Sequence, residues 1–199
     1  MLLGAGRSSR MGEGAHKLLL PFDGRPLVAR AVEAACASRA DAVAVVLGHR
    51  ADAVRAALPA GRYVATVNAD YATGMASSLV RGLAALRAAA GDRLAGVVVG
   101  LADQPLVPPA LFDAVIAEGL AHPGAIVSAS YAGQRGTPVW FPAALFDELA
   151  AVAGDEGGRS IIARHLDRLR LVEWPDARAG LDVDRPEDFA LLPQGTTGD

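Results

Sequence analysis

The feature that most constrains the fold is an alternation of two kinds of segment along the chain. Apolar, largely β-branched runs such as "DAVAVVLG" and "LAGVVVGLAD" alternate with segments such as "PLVARAVEAACAS" and "MASSLVRGLAALRAAA". The first pattern is typical of a buried strand, and the second, with apolar residues recurring roughly every three to four positions, of an amphipathic helix. Strands that are apolar on both faces and separated by helices predict an α/β domain of three layers around a mostly parallel sheet.

The pattern changes after residue 124. The short segments "AIVSASY" and "TPVWFP" flank the glycine-containing turn "AGQRG", which predicts a hairpin and hence a short antiparallel element. Further on, "AALFDELAAV" and "GRSIIARHL" predict helices, "LRLVEW" and "LDVD" predict strands, and "RPEDFALL" predicts a final helix with Pro186 in its first turn. We therefore expect one domain over residues 1–192, followed by a polar flexible tail over residues 193–199.

The composition excludes several classes of function. The chain has 199 residues, 52% of them hydrophobic, and a formal net charge of -3, which argues against a nucleic-acid-binding surface. No segment reaches the roughly 18 to 20 apolar residues of a membrane span, and no secretory signal is recognisable, so we expect a cytoplasmic protein. The first strand, "MLL", is short, which suggests that the native start lies upstream of Met1. The single cysteine, Cys36, is expected to be a buried small residue, and the four histidines are expected to be structural or solvent-facing.

The stretch "LLGAGRSSRMG" occupies the place where open α/β sheets bind ligands, just after the first strand. Gly4 and Gly6 would let backbone N–H groups approach an anion, and Arg7, Arg10 and Lys17 would add positive charge. The stretch lacks the third glycine of a dinucleotide fingerprint and the Gly-Lys-Ser/Thr of a P-loop. Either these residues bind phosphate, or the arginines are ordinary solvated surface charges.

Acidic residues at two places are candidates for a metal site. Asp103 follows an apolar strand and so is expected at the rim of the sheet, where it would either hold a metal ion or cap the next helix. Asp182 and Asp184 would enrich the first turn of the last helix in acid, as we expect for Glu187 and Asp188, and a metal role for either is what the family resemblance given below implies. The residues alone do not decide between Asp182 and Asp184.

Five stretches carry a resemblance to a known family. "LGAGRSSRMG" with "HKLLLP", and then in order "NADYATGMASSLVRGL", "LADQPLV", "GQRGTPVWF" with "GDEGGRSII", and "LDVDRPEDF", resemble the motifs of the MobA-like nucleotidyltransferases of molybdenum cofactor biosynthesis. The subgroup that the chain is most similar to is the molybdenum cofactor cytidylyltransferases. The resemblance spans nearly the whole chain and implies a Rossmann-like fold of the nucleotide-diphospho-sugar-transferase type.

The resemblance also implies roles for single residues. Arg10 and Lys17 would contact the phosphates, and Asp103 would hold Mg²⁺ together with Asp182 or Asp184. The remaining nucleotide-binding positions would be Leu3, Gly4, Ala5, Gly6, Arg7, Gly74 and Ser78, with Ser78 near the base and Gly74 leaving room beside it. Acceptor-side positions would be Asn68, Gln134, Arg135, Gly136 and Asp155. For Ser78 a plain packing role, for Asn68 a turn role and for the glycines a simple hairpin remain open.

Alanine at Ala5 is typical of the cytidylyl type, whereas guanylyl-transferring relatives have glycine there. The implied reaction is magnesium-dependent transfer of a cytidylyl group from CTP to the phosphate of a molybdopterin-type cofactor, with release of pyrophosphate. Contact with a molybdenum hydroxylase or its chaperone would follow, without nucleic-acid or membrane partners. Alternatives are another small phosphorylated or alcohol acceptor, a non-catalytic cofactor-delivery protein, and a nicotinamide-dependent oxidoreductase, which Ser9 and the loop arginines disfavour.

Overall fold

The computed structural model describes residues 1–12 and 15–192, and its central feature is a seven-stranded sheet. The predicted tail over residues 193–199 lies outside the described residues. The strands are β1 (Leu2–Gly4), β2 (Pro21–Phe22), β3 (Arg25–Pro26), β4 (Ala44–Leu47), β5 (Val64–Val67), β6 (Gly96–Leu101), β7 (Ile126–Tyr131), β8 (Gln134–Pro142) and β9 (Leu169–Trp174). The main sheet has the order β5-β4-β1-β6-β8-β7-β9, and β2 and β3 form a separate antiparallel pair.

The directions of the strands confirm the predicted mostly parallel sheet with a short antiparallel element. Strands β5, β4, β1 and β6 pair in parallel, and β9 pairs in parallel with β7. Strand β8 runs antiparallel to both of its neighbours, β6 and β7, and the β7–β8 hairpin is the one that the sequence predicts. The carboxyl ends of β1, β4, β6 and β7 therefore lie at the same edge of the sheet.

Helices cover both faces of the sheet and give the three layers that the sequence predicts. The α-helices are α1 (Leu27–Ala37), α2 (Ala51–Ala56), α3 (Met75–Ala90), α4 (Pro109–Ala121), α5 (Phe146–Ala151) and α6 (Arg159–Arg164). Buried residues of α1, α2 and α4 belong to one core cluster, and those of α3, α5 and α6 belong to the other. Alternate residues of one strand supply the two clusters, as with Val45 and Val46 of β4, because successive side chains of a strand point to opposite faces.

Two glycines provide the space for the largest core side chain on the α4 side. Trp140 of β8 is 5% exposed, and its indole lies against Gly96 of β6 and Gly119 of α4. A Cβ atom at Gly119 would come within 2.5 Å of the indole ring, and one at Gly96 would overlap it. Both positions therefore need glycine for packing rather than for backbone conformation.

Three sequence-based expectations differ from the structure. Segment 181–184, "LDVD", was expected as a strand but pairs with no strand in the described part of the chain, and Val183 N donates a single hydrogen bond to Asp103 O at 3.1 Å. The last predicted helix is a 3-10 helix, Pro186–Leu191, with proline in its first turn. Cys36 is only partly buried. Among the described residues, we find no helix with the length and apolar character needed to span a bilayer.

Candidate active site

The loop after β1 begins at the carboxyl edge of the sheet, in close contact with the turn after β4. Ala5 is 6% exposed, and its carbonyl accepts a hydrogen bond from His49 N at 3.1 Å. A Cβ atom at Gly48 would come within 2.7 Å of Ala5, so the turn approaches the loop this closely only with glycine there. At Gly6, by contrast, no described atom beyond its chain neighbours lies within 4 Å of the Cβ position. The backbone of Gly6 is therefore open to a ligand.

Not every predicted residue of this loop faces open space. Leu3 is buried in the core, and its carbonyl accepts a hydrogen bond from Ala102 N at 3.0 Å. Gly4 lies within β1, where a Cβ atom would come within 3.1 Å of Ala102. Both residues lie in the strand beneath the loop, and the Leu3 side chain packs in the core instead of facing the open side of the loop. Arg7 and Arg10 are exposed.

Lys17 joins the loop to two acids that lie far away in the sequence. Its Nζ donates to Asp103 Oδ2 and, at 2.6 Å, to Asp184 Oδ1. Arg10 Nη1 donates to Asp184 Oδ2 at 2.9 Å. Burial alone would lower the pKa of Lys17, but the two carboxylates outweigh it and raise the pKa. The ammonium group therefore stays charged, and two of its three N–H donors face carboxylates.

Asp103 and Asp182 complete an acidic group beside Lys17. The Asp103 side chain is 15% exposed, and its Oδ1 is buried without a hydrogen-bond partner among the described residues. Asp182 is at the surface, but partial loss of water and then the charge of Asp103 raise its pKa to about 6. The hydrogen bond from Lys17 lowers the pKa of Asp184. The two candidate acids of the last segment thus differ, since Asp184 is paired with cations and Asp182 is opposed by a like charge.

These carboxylates fit a hard divalent cation, although they do not form a complete protein cage. Among the described residues no group of three or more His, Cys, Asp or Glu side chains is arranged to hold a metal ion. Mg²⁺ usually takes one or two carboxylates and fills its other positions with water and substrate phosphates. The unpartnered Oδ1 of Asp103 is an acceptor of the required kind. The helix-cap alternative for Asp103 is wrong, because α4 begins at Pro109 with Pro108 as its N-cap.

Ser78, the predicted base-contacting residue, lies in the first turn of α3 and contacts Asn68, which was predicted on the acceptor side. Ser78 is 4% exposed, and its Oγ accepts a hydrogen bond from Asn68 Nδ2 at 3.0 Å. Asn68 Oδ1 accepts from Asp70 N at 3.0 Å, which is the turn contact expected of an asparagine. The open alternatives, packing for Ser78 and a turn role for Asn68, are therefore both present in the structure.

Gly74 connects α3 to the loop between α5 and α6. It has φ +118°, and a Cβ atom there would overlap the backbone of Gly154 and come within 2.8 Å of Asp155 Oδ1. Ala76 N donates to Gly154 O at 3.0 Å. The room that Gly74 leaves was expected beside a nucleotide base, but the backbone of Gly154 fills it. Asp155, predicted on the acceptor side, is thereby placed at the start of α3.

The β7–β8 hairpin brings the other predicted acceptor-side residues to the same edge as Asp103. Gln134 and Arg135 are exposed at the start of β8, and Gly133 takes φ +78° in the turn. Gly136 lies against the ring of Tyr131, where a Cβ atom would come within 2.8 Å. Thr137 Oγ1 donates to Gln104 Oε1 at 2.6 Å, which ties the hairpin to the residue after Asp103. The plain hairpin accounts for both glycines.

A row of rings beside the loop was missed by the sequence reasoning. His16 is 2% exposed and stacks on His49 with 5.5 Å between ring centroids and 8° between planes. The His49 ring lies 6.0 Å from that of Tyr71, and the Arg7 guanidinium carbon lies 5.7 Å from the Tyr71 ring centroid. His16 directly precedes Lys17, which is the only local signal that could have drawn attention to it.

A glycine-containing loop after the first strand, the cations Arg10 and Lys17, and acids that the fold brings to the same edge of the sheet are typical of a nucleotide-binding α/β domain. The sequence profile of the MobA-like NTP transferase domain matches residues 1–169, so the chain belongs to that family of nucleotidyltransferases. The matched part contains Lys17 and Asp103, whereas Asp184 lies beyond it.

Two curated relatives align over 96% of this chain and 94% of their own length. Nicotine blue oxidoreductase of Paenarthrobacter nicotinovorans is 33% identical, and purine catabolism protein PucB of Bacillus subtilis is 28% identical. One name gives an oxidoreductase activity and the other only a role in purine catabolism, so the alignment shows the shared domain and leaves the reaction of this chain to be argued from its site.

Solved structures agree with this family assignment. Rv0371c of Mycobacterium tuberculosis is 32% identical with a TM-score of 0.82, covering 96% of this chain and 94% of that one. The same protein has also been solved in complex with manganese, with 31% identity, a TM-score of 0.72 and coverage of 96% and 95%. A nucleotidyl transferase from Methanothermobacter is 27% identical with a TM-score of 0.80, covering 96% and 93%.

Proposed function

We propose that this protein is a magnesium-dependent cytidylyltransferase that transfers the cytidylyl group of CTP to the phosphate of a molybdopterin-type cofactor and releases pyrophosphate. The observation that carries the proposal is the network of Arg10, Lys17, Asp103 and Asp184 beside the open backbone of Gly6. The nucleotidyltransferase family and the motif resemblance support the choice of reaction. The manganese complex of a related protein supports a divalent metal.

The reaction needs positioned positive charge more than it needs a base. A phosphate monoester has a second pKa of about 6, so the acceptor oxygen is largely ionised at neutral pH. That oxygen attacks the α-phosphorus, and the bond from the α-phosphorus to the bridging oxygen breaks, so that pyrophosphate leaves with the electron pair. The obstacle is the approach of several negative groups, and positioning and electrostatic stabilisation are expected to overcome it.

The residues of the network would divide this work between them. Arg10 and the third N–H donor of Lys17 would contact the triphosphate, while the backbone of Ala5 and Gly6 would line it. Asp103, with Asp182 or Asp184, would hold Mg²⁺, which when bound supplies charge neutralisation at the phosphates. Lys17 would keep Asp103 and Asp184 close together despite their like charges. Ala5 would discriminate the base, as the family resemblance implies, whereas the Ser78 hydroxyl is buried against Asn68.

One relative's name favours a second candidate. Because nicotine blue oxidoreductase is 33% identical, a nicotinamide-dependent redox reaction is the alternative. Ser9 at the place of a third glycine and the loop arginines argue against a dinucleotide site. Another phosphorylated or alcohol acceptor, and delivery of the cofactor to a molybdenum hydroxylase or its chaperone without chemistry, are further outcomes of the same test.

The deciding experiment measures pyrophosphate release by the purified protein with Mg²⁺, with and without molybdenum-loaded molybdopterin, and with CTP, GTP, ATP or UTP. Release that requires both CTP and the pterin would establish the proposal. Nucleotide binding without release would point to another acceptor or to a delivery protein. Oxidation of NADH or NADPH on addition of nicotine blue, without pyrophosphate release, would establish the oxidoreductase.

A separate variant tests whether Ala5 selects the nucleotide base. In Ala5→Gly we expect GTP to be used better relative to CTP, because the methyl group that distinguishes the two family types is removed. The ratio of kcat/KM for the two nucleotides measures it. An unchanged ratio would mean that Ala5 does not discriminate the base.

A further inference from the structure

The rings of His16, His49 and Tyr71 and the guanidinium group of Arg7 form a row of contacts that includes both ends of the opening loop. Arg7 belongs to the start of the loop and His16 to its end, while His49 and Tyr71 come from the turn after β4 and the segment before α3. Two side chains of other elements, His49 and Tyr71, therefore pack against residues at the two ends of the loop. Its conformation depends on contacts that neither the sheet nor the Lys17 network makes.

His16 is held by a directional contact as well as by stacking. Its Nε2 lies 3.2 Å from the carbonyl oxygen of His49, and since a carbonyl only accepts, Nε2 carries the proton. Nδ1 is then the unprotonated nitrogen, and it is buried without a hydrogen-bond partner among the described residues. Burial lowers the pKa of His16, with the bond to His49 opposing this only in part, so the ring is neutral.

The backbone of His49 forms hydrogen bonds with residues at both ends of the loop. Its N–H donates to Ala5 O at 3.1 Å, and its C=O accepts from His16 Nε2. One residue of the neighbouring turn thus sets the distance between Ala5, where the nucleotide is expected, and the residue just before Lys17. A shift of His16 moves the start of the short 3-10 helix Lys17–Leu19, whose Leu19 N donates to His16 O at 2.9 Å.

We propose that His16 is a positioning residue that, through His49, holds the opening loop and Lys17 in the geometry that binds the nucleotide triphosphate. This inference rests on the proposed function for its kinetic consequence but not for its structural one. His16 touches neither substrate nor metal in this proposal. A residue with this purpose needs a neutral N–H donor on a flat ring, which a buried neutral histidine provides.

The test uses two substitutions that separate the effect of the N–H donor of His16 from the effect of its ring stacking. His16→Phe keeps a flat ring for stacking on His49 but removes the N–H donor, and His16→Gln has a side-chain amide N–H that can reach the same carbonyl. Loss of one hydrogen bond of this kind changes an equilibrium by roughly five- to tenfold. His122→Phe is the matched control, since His122 is partly exposed and paired with Glu118 at the far end of α4.

Two readouts are needed. For CTP turnover, His16→Phe is expected to raise KM about five- to tenfold with kcat changed less than about twofold, and His16→Gln to restore most of the affinity. For native-state cleavage by trypsin after Arg7 and Arg10, His16→Phe is expected to accelerate cleavage by a similar factor, since cleavage follows the population of the opened loop.

The outcomes are distinguishable. Wild-type KM and wild-type loop cleavage in His16→Phe would overturn the proposal. A lower urea midpoint with kcat and KM both changed, and without rescue by His16→Gln, would also overturn it, because the ring would then serve only core stability. If the wild-type protein has no CTP turnover, the proposed function fails, while the trypsin experiment still decides whether His16 holds the loop.

Discussion

At the scale of single residues, Asp103 links the two halves of the candidate site. It follows β6, accepts from Lys17 and has one carboxylate oxygen free of protein partners among the described residues. We predict that Asp103→Asn lowers pyrophosphate release by about 100-fold or more, because the charge that would hold the metal is lost while the shape is kept. The measurement is the initial rate with CTP and the acceptor under saturating Mg²⁺.

The matched control for that variant is Glu33→Gln. Glu33 is a partly exposed acid on α1 that pairs with Arg25, so its substitution changes the net charge by the same amount away from the site. We expect rates within about twofold of wild type for it. Equal rates in wild type and Asp103→Asn, with unchanged circular dichroism, would remove Asp103 from the mechanism.

The positions of single residues could be predicted only where a local pattern exists. The apolar strand before Asp103 placed this acid at the rim of the sheet, and glycines with arginines marked the loop. The pairing of Lys17 with Asp103 and Asp184 could not be predicted, because these partners are 86 and 167 positions away. His16 was missed for the same reason, since its stacking partner comes from another element.

At the scale of elements, the contact between α4 and β8 inverts the usual effect of a helix substitution. Glycine to alanine inside a helix normally stabilises by about 1 kcal/mol. At Gly119 the new Cβ atom would come within 2.5 Å of the Trp140 indole, and overpacking of a core destabilises by about 1–3 kcal/mol. We predict that Gly119→Ala lowers the free energy of unfolding by about 1 kcal/mol, measured by urea denaturation.

A double variant separates crowding from helix propensity. Trp140→Phe shortens the ring that Gly119 faces, so Gly119→Ala should be less destabilising, or stabilising, in the Trp140→Phe background. Additive effects in the two backgrounds would show that the indole does not limit this position.

The contact between α5 and α6 predicts a pH dependence. Glu148 of α5 accepts from Arg164 Nη2 at 3.0 Å and lies 2.8 Å from His165 Nε2, and these contacts, Arg164 first, lower its pKa from the usual 4.5. A folded-state pKa below the unfolded one gives stability that is present above about pH 4.5 and is lost as the pH falls through the folded value. Glu148→Gln should therefore lower the urea midpoint at neutral pH, and the difference from wild type should shrink below pH 4.5.

The control for that series is Glu156→Gln, which removes an exposed acid from the loop between α5 and α6. It is expected to leave the midpoint nearly unchanged. A Glu148→Gln difference that stays constant over the whole acid range would contradict the ion-pair explanation.

The elements themselves were largely predictable, since apolar runs and helical spacing are local properties of the chain. The hairpin after residue 124 followed from short β-forming segments around a glycine turn, and the structure confirms it. The strand predicted over residues 181–184 was wrong, because the alternation of Asp with Leu and Val in this segment resembles that of a half-buried strand. It packs Val183 into the core and donates to Asp103 O instead of joining a ladder.

At the scale of the whole molecule, both core clusters pack against one sheet, so the predicted single domain over residues 1–192 should unfold as one unit. We predict one cooperative urea transition, with tryptophan fluorescence and far-ultraviolet circular dichroism giving the same midpoint. Trp140 and Trp174 report on the α1–α2–α4 side, whereas dichroism reports on the helices of both sides. A second dichroism step without a fluorescence change would show that the α3–α5–α6 side unfolds separately.

Strand order is the property of the whole molecule that the sequence did not supply. Alternation predicts the layers, but the insertion of β8 between β6 and β7 depends on which surfaces fit one another. The Trp140 indole against Gly96 and Gly119 is one such fit, and it joins residues from three elements.

The pairing of Arg10 and Lys17 with Asp184 also has a consequence for synthesis of the protein on the ribosome. Chains emerge from the amino end at about 5–20 residues per second, so the loop is made first and Asp184 among the last of the described residues. Until Asp184 has left the exit tunnel, Arg10 lacks this carboxylate and Lys17 has Asp103 alone. Asp184 is synthesised after every strand of the main sheet, so the residues of the sheet are available before those of this ion-pair network.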